Sequence, residues 1–272
     1  MTAPKIEARD YRPKDAPTKR AALVLHGGPG AIGSAASLAE ELGRTHRVWE
    51  PLQRTSDDGA FTVRDHLHDH LEFLRHHCPD SPPALVGSSW GAMLALAMAA
   101  EAPAEVGPLV LVGCGTYDPV SRHDMRDRIV ARTSPELRRE FDRIANEIAD
   151  EDDRLAAKAD LIFEIYTVDP LVESEPCDRI DARGNRSTWD DMIELQESGV
   201  YPQALASITA PVLMLHGTED PHPGPSTRDE LRQFIPHLEY VEWEECGHYP
   251  WIERKVREPF FETLRSWLDA QP

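Results

Sequence analysis

Cysteine is scarce in this chain of 272 residues: there are four, at positions 78, 114, 177 and 246, and none forms a C-x-x-C pair. That spacing lacks the clustered thiolates of a structural zinc site and gives no disulfide framework, so a reduced, cytoplasmic protein is expected. Positive charge is short as well. Against 48 Asp and Glu stand 29 Lys and Arg, a formal net charge of -19 with a pI near 5.0. Binding to nucleic acid needs a basic footprint, which this composition does not provide. Long apolar runs are also missing. The longest, residues 92–100, is about half of the roughly 18 residues that a membrane span needs. The opening MTAPKIEARDYRPKD holds no apolar stretch of the kind a secretory leader carries.

What the chain does contain is alternation. An apolar fraction of 40% can supply a sizeable core, and the length suits one large domain carrying an insertion. Residues 21–26 (AALVLH), 82–88 (PPALVGS), 109–112 (LVLV) and 211–216 (PVLMLH) are short apolar runs, the pattern of strands buried in a parallel sheet. Residues 47–52 and 239–243 (EYVEW) are further strand candidates. Helical segments lie between them. Residues 34–42 and 260–268 are two; 63–77 carries Val63, Leu67, Leu71 and Leu74 on one face; 90–101 is apolar all round, as in a helix buried at a domain centre.

From about 116 to 206 the strand signal disappears. Charge-rich helical segments such as 136–149 and 153–166 replace it, and 22 Asp and Glu stand against 12 Lys and Arg between Cys114 and Ser207. Strands alternating with helices predict an α/β fold, a mostly parallel sheet flanked by helices. The expected organisation is a core of residues 1–115 and 207–272, with an all-helical cap, 116–206, inserted after the third or fourth strand.

Gly87-Ser88-Ser89-Trp90-Gly91 fits G-x-S-x-G. The pattern alone is common, but here it lies directly between a buried strand and a helix, as a nucleophile elbow requires. The central serine of such an elbow sits on a sharp turn with its hydroxyl above the sheet. Glycines keep the neighbouring backbone clear, and the helix aims its N-terminal N–H groups at the reaction centre. Ser89 is therefore the candidate nucleophile, Ser88 being off the centre of the pattern. His26-Gly27-Gly28-Pro29-Gly30 follows the first buried strand and can reach over the elbow. Acyl transfer needs fixed donors at the developing oxyanion, and the N–H groups of Gly28 and Trp90 are the candidates. A phosphate loop would also use such glycines, yet neither a Walker Lys-Ser/Thr nor a G-x-G-x-x-G is present.

A serine hydroxyl needs a base, and the base an orienting acid. The order serine, acid, histidine, each on a loop after a strand, is met by Asp220 in GTED (217–220) and by His248 in CGH (246–248). Glu219 and His222 are the nearest rivals, and His216, at a strand end, reads as a core histidine. His66, His68 and His70 resemble a metal cluster, but on a helix only His66 and His70 share a face. A solvated helix face is the plainer reading, and no metal or other cofactor is expected. Cys246 reads as a small packing residue, and the acidic run 150–153 as a helix boundary or solvated turn.

Together HGGPG (26–30), GSSWG (87–91), GTED and Gly247-His248 resemble the prolyl aminopeptidase branch of the α/β-hydrolases, over roughly residues 20–115 and 207–270. The resemblance implies an α/β-hydrolase core with a helical cap and release of N-terminal proline from peptides. It also implies Ser89, Asp220 and His248 as the catalytic triad, with Gly28 and Trp90 at the oxyanion hole. There are departures. Family members usually read GGSWG where this chain has Ser88 in second place. With only about 20 residues ahead of the first buried strand, the leading antiparallel hairpin is shortened or missing. Asp190, Asp191, Glu194 and Glu197 in the cap are the candidates for holding a substrate ammonium, but a solvated helix face is the plainer reading.

The expected function is a serine hydrolase acting on a small-molecule or short-peptide substrate, with no nucleic-acid or membrane partner. Aminopeptidase activity is one form of it; carboxylesterase or amidase activity on a non-peptide small molecule is another. An acyltransferase and a non-catalytic ligand-binding protein use the same fold and are the remaining alternatives.

Overall fold

The computed structural model describes residues 5–13, 21–56 and 59–271; parts of the segment read for a leader, residues 1–4 and 14–15, lie outside them. The strands are β1 (Ala8–Tyr11), β2 (Ala22–Leu25), β3 (Ala31–Ile32), β4 (Val48–Pro51), β5 (Ala84–Ser88), β6 (Leu109–Val112), β7 (Arg179–Ile180), β8 (Val212–Gly217) and β9 (Glu239–Trp243). Seven of them form one sheet in the order β1-β4-β2-β5-β6-β8-β9. All pairings are parallel except that of β1, which runs antiparallel to β4 at the edge.

Side chains alternate across this sheet, so each central strand feeds two cores. Leu23, Leu25, Leu85, Leu109, Leu111 and Met214 pack with helices α2 (Val63–His77) and α3 (Trp90–Glu101). Ala22, Val24, Val86, Val110, Leu213 and Leu215 pack against α1 (Ala36–Leu42) and α9 (Arg257–Ala270) on the other face. Helix α3 is buried along all but its last turn, as its uniformly apolar sequence requires.

Between β6 and β8 the chain runs through α4 (Pro119–Arg132), α5 (Pro135–Glu147), α6 (Glu151–Tyr166) and α7 (Ala182–Glu197). Each begins on a side-chain cap, Asp118, Ser134, Asp150 and Asp181 in turn, with proline in the first turn of α4 and α5. The acidic run at 150–153 is thus a helix start. The last helix before α9 is α8 (Gly224–Arg232), and its sequence follows the Asp220 loop.

Two expectations are corrected. The helical insertion follows β6, the fifth strand of the large sheet in chain order, because β1 went unread. ARDY has no apolar run, and an edge strand with no fully buried residue needs none. The insertion is also not all-helical: β7 pairs antiparallel with β3, tying the segment before α7 to the loop after β2.

The elbow leaves no room for side chains. A Cβ at Gly91 would stand 2.2 Å from the Leu25 carbonyl oxygen, and one at Gly87 would stand 2.1 Å from the Gly91 carbonyl oxygen. Backbone of adjacent strands cannot withdraw as a flexible side chain can. Gly91→Ala is therefore expected to cost at least about 3 kcal/mol, at the upper end of ordinary overpacking. Chemical denaturation against wild type measures it, and a loss below about 1 kcal/mol would show that the strand gives way.

Candidate active site

Ser89 follows the last residue of β5 and caps α3 with φ 53° and ψ -114°, a left-handed turn that a non-glycine residue adopts only where its surroundings hold it. Its N–H donates to the Val112 carbonyl at 2.8 Å, which clamps the turn to the end of β6. The Gly27 backbone presses on the elbow from the other side: a Cβ there would lie 3.2 Å from the Ser89 Cβ. Gly28 has φ 57°, and its carbonyl accepts from Ala31 N–H at 2.8 Å, closing the tight turn that the glycines foretold. Trp90 N–H is the first of α3 and has no partner within the helix. Gly27 was not singled out from the sequence, yet it is in tighter contact with the elbow than Gly28.

Asp220 lies beyond the end of β8 and His248 beyond β9, and both are buried. Asp220 Oδ2 accepts from His248 Nδ1 at 2.7 Å. That bond assigns the proton to Nδ1 and leaves Nε2 as the basic nitrogen. Gly113 at the tip of β6 backs the ring. It has φ 55°, and a Cβ there would come within 2.8 Å of His248 Nδ1. Tyr166 and Tyr249 wall the imidazole at ring-centroid distances of 4.9 and 4.8 Å, both edge to face. The His248 N–H donates to the Tyr166 carbonyl at 2.7 Å, so the end of α6 holds the histidine loop.

The Asp220 carboxylate has more partners than a triad needs. Oδ1 accepts from the His222 N–H at 2.9 Å and lies 3.3 Å from His222 Nδ1; Oδ2 lies 3.0 Å from His216 Nε2. Burial alone would push this carboxyl up, but the three imidazoles around it hold it well below the usual carboxylate range. Burial pushes His248 down, with Asp220 only partly offsetting it, so the imidazole is neutral at pH 7, as a base must be. His216 is the core histidine the sequence suggested, except that its Nδ1 has no partner. Glu219 is turned away toward Arg132 of α4, at 2.8 Å.

Ser89, His248, Gly27, Gly28 and His222 line one cavity of about 490 Å³, roofed by α4, α6 and α7. Helix α7 presents Asn185, Trp189, Ile193 and Gln196 to it. Asp190, Asp191, Glu194 and Glu197 do not line it. Asp191 instead accepts from the Val63 N–H at 2.7 Å at the start of α2, while Asp190, Glu194 and Glu197 are exposed. Two other carboxylates line the cavity, the exposed Asp160 of α6 and Glu175, in the loop between α6 and β7; Glu175 is the one held by donors from the core. It accepts from Ser37 Oγ at 2.6 Å and from Trp251 Nε1 at 3.2 Å. Burial pushes its carboxyl up, and those two donors partly pull it back.

His66 and His70 are not on a solvated face. Both are buried under the sheet, and only His68 is exposed. The four cysteines are free thiols, and Cys246 is fully buried as packing. Among the described residues no helix is long and apolar enough to cross a membrane.

The parallel sheet, the strand–serine–helix turn and the acid and histidine loops at neighbouring strand ends define the α/β-hydrolase fold. Residues 22–258 match the profile described as the alpha/beta hydrolase family, and the chain belongs to that family. An esterase of Thermogutta terrifontis is similar in structure, with TM-score 0.63 and 18% identity, over 97% of this chain and 92% of that one. The enol-lactonase of Burkholderia xenovorans is similar with TM-score 0.64 and 19% identity, over 97% and 96%. VinJ is similar with TM-score 0.65 and 20% identity, over 100% and 98%. None of the curated proteins matches the sequence.

Proposed function

We propose that this protein is a serine hydrolase that cleaves a small ester or amide through an acyl-enzyme. The observation that carries the reading is the 2.7 Å Asp220–His248 bond on the wall of the cavity that also holds Ser89 on its strained turn. In this mechanism His248 Nε2 takes the Ser89 proton as Oγ attacks the carbonyl carbon. Asp220 stabilises the imidazolium, and the N–H groups of Gly28 and Trp90 receive the oxyanion. The proton then goes to the leaving alcohol or amine, and water repeats the cycle to free the acid. Residues 116–206 act as the cap that shapes the substrate space. The esterase and the enol-lactonase of similar fold agree with ester chemistry.

A second, narrower reading is an aminopeptidase, and Glu175 favours it. A half-buried carboxylate whose oxygens each have one protein donor keeps lone pairs for a substrate ammonium, in a cavity otherwise mostly apolar. The test compares proline p-nitroanilide with p-nitrophenyl acetate, using wild type, Ser89→Ala and Glu175→Gln. On the aminopeptidase reading Glu175→Gln lowers kcat/KM for the anilide at least about tenfold, the scale of a lost charge-assisted bond, and leaves the ester within about twofold. Ester turnover alone, still dependent on Ser89, assigns the protein to the carboxylesterases. Turnover of both substrates that ignores Ser89 overturns the proposal.

A further inference from the structure

Two imidazole nitrogens and a carboxylate converge at one point of the active site. His222 Nδ1 lies 3.1 Å from His248 Nδ1 and 3.3 Å from Asp220 Oδ1, while His248 Nδ1 lies 2.7 Å from Asp220 Oδ2. These three donors form a compact triangle, and His222 opens it to the cavity. A tetrahedral ion bound at zinc's usual 2.0–2.2 Å needs ligand atoms about 3.3 Å apart. The nitrogen–nitrogen distance is already close to this; the two imidazoles face different oxygens of the carboxylate, and a shared ion requires Asp220 and His248 to part by about half an ångström. Two neutral imidazoles with one carboxylate suit divalent zinc, cobalt or copper; magnesium and calcium prefer an all-oxygen shell.

We propose that Asp220, His222 and His248 form an inhibitory site for a divalent transition-metal ion of the zinc class. The ion moves a proton within the ring rather than expelling one. At present Nδ1 of His248 carries the proton that Asp220 accepts, so Nε2 is the free base. Once a metal occupies Nδ1, the ring's single proton moves to Nε2 and Nδ1 supplies its lone pair to the ion. His222 binds through the tautomer with its proton on Nε2, and the proton count is unchanged. An imidazole with Nε2 protonated cannot take the Ser89 proton. The inhibitory consequence rests on the serine hydrolase reading; the binding itself does not.

The experiment titrates cobalt(II), whose visible absorption reports tetrahedral imidazole and carboxylate coordination, into metal-stripped protein, with zinc chloride as competitor. Wild type and Ser89→Ala are expected to bind one equivalent with the same spectrum, and zinc to displace it. His222→Gln, which keeps the backbone N–H on Asp220, is expected to lose that spectrum while its circular dichroism and melting temperature report a folded chain. His68→Ala removes the exposed His68–Asp69–Glu72 group and leaves the spectrum unchanged. Zinc is expected to inhibit wild-type ester turnover, with EDTA reversing it and the half-inhibiting concentration at least tenfold higher in His222→Gln, relative to that variant's own rate. Stoichiometric cobalt that persists in His222→Gln, or no binding to wild type, overturns the site. Binding as expected by a chain that hydrolyses no ester or amide would keep the site and remove the serine hydrolase reading instead.

Discussion

Ser89→Ala is expected to lower kcat for any ester or amide that the wild-type chain turns over by at least about a thousandfold, while leaving the fold intact. The size follows from what is lost and what remains. The hydroxyl is the only atom of the pair Ser89–His248 that can form the acyl bond, so its loss ends the covalent route. The oxyanion donors and the cavity persist, which is why a residual rate over water survives in enzymes of this type. Asp220→Asn and His248→Ala are expected to fall in the same range, and combining either with Ser89→Ala is expected to add almost nothing, since the three act as one unit. A fluorophosphonate probe followed by peptide mass spectrometry supplies the independent check. One adduct on Ser89 in wild type and none in Ser89→Ala is the expected result; an adduct on Ser88 would move the nucleophile by one residue.

Acidification is the second large effect. His26, His66 and His70 are all buried, and burial pushes each of them down, His26 to about 4. Each also spends one ring nitrogen on a hydrogen bond, to Gly27, Thr188 and His66 respectively, and leaves the other without a partner, so an added proton finds no acceptor. In the unfolded chain the same groups titrate near 6.5. Their neutral forms therefore cost nothing above pH 6.5, and stability is lost as pH falls from there toward the folded values. His26 alone contributes about 2 kcal/mol of loss by pH 5, at about 1.4 kcal/mol per unit. His216 runs the other way: Asp220 outweighs its burial and raises it, so it gains stability as pH falls. Against it stand the three histidines beneath the sheet together with His248. Urea unfolding at pH 7.5, 6 and 5 should show a steep decline, made shallower by His70→Phe. A level curve over that range would mean that the buried cluster takes up protons freely.

How much of this was legible in the sequence depends on whether a local pattern carries the information. Strands β2, β5, β6 and β8 are continuous apolar runs because both faces are buried, and helix α3 is apolar all round for the same reason. Ser89, Asp220 and His248 could be picked out because each sits just past a strand end, where the alternation of elements already places functional loops. Strand β1 could not, since its fit is set by pairing with β4 and not by composition. The histidines of α2 were readable but misjudged. Val63, His66, Leu67, His70, Leu71 and Leu74 form one i, i+3, i+4 face, and treating the histidines as polar hid their membership of it. The acidic face of α7 reads first as solvated, and Asp190, Glu194 and Glu197 are indeed exposed. The cavity is lined by the opposite face, Asn185, Trp189, Ile193 and Gln196, whose spacing of four, four and three residues was there to be read. Glu175 sits in an irregular loop, with no periodicity to mark it.

Three imidazoles around one buried carboxylate set a limit on how much charge the active site can hold. Asp220 supplies a single negative charge, which in its buried position balances one proton among those rings; a divalent ion there would need a second anion, such as hydroxide, from the cavity side. Under the proposed mechanism that allowance belongs to His248 each time Ser89 gives up its proton. His216, which Asp220 also raises, competes for the same allowance as pH falls. The site thus works as a proton store of capacity one, and any proton lodged on a neighbouring ring is one that the serine cannot hand over.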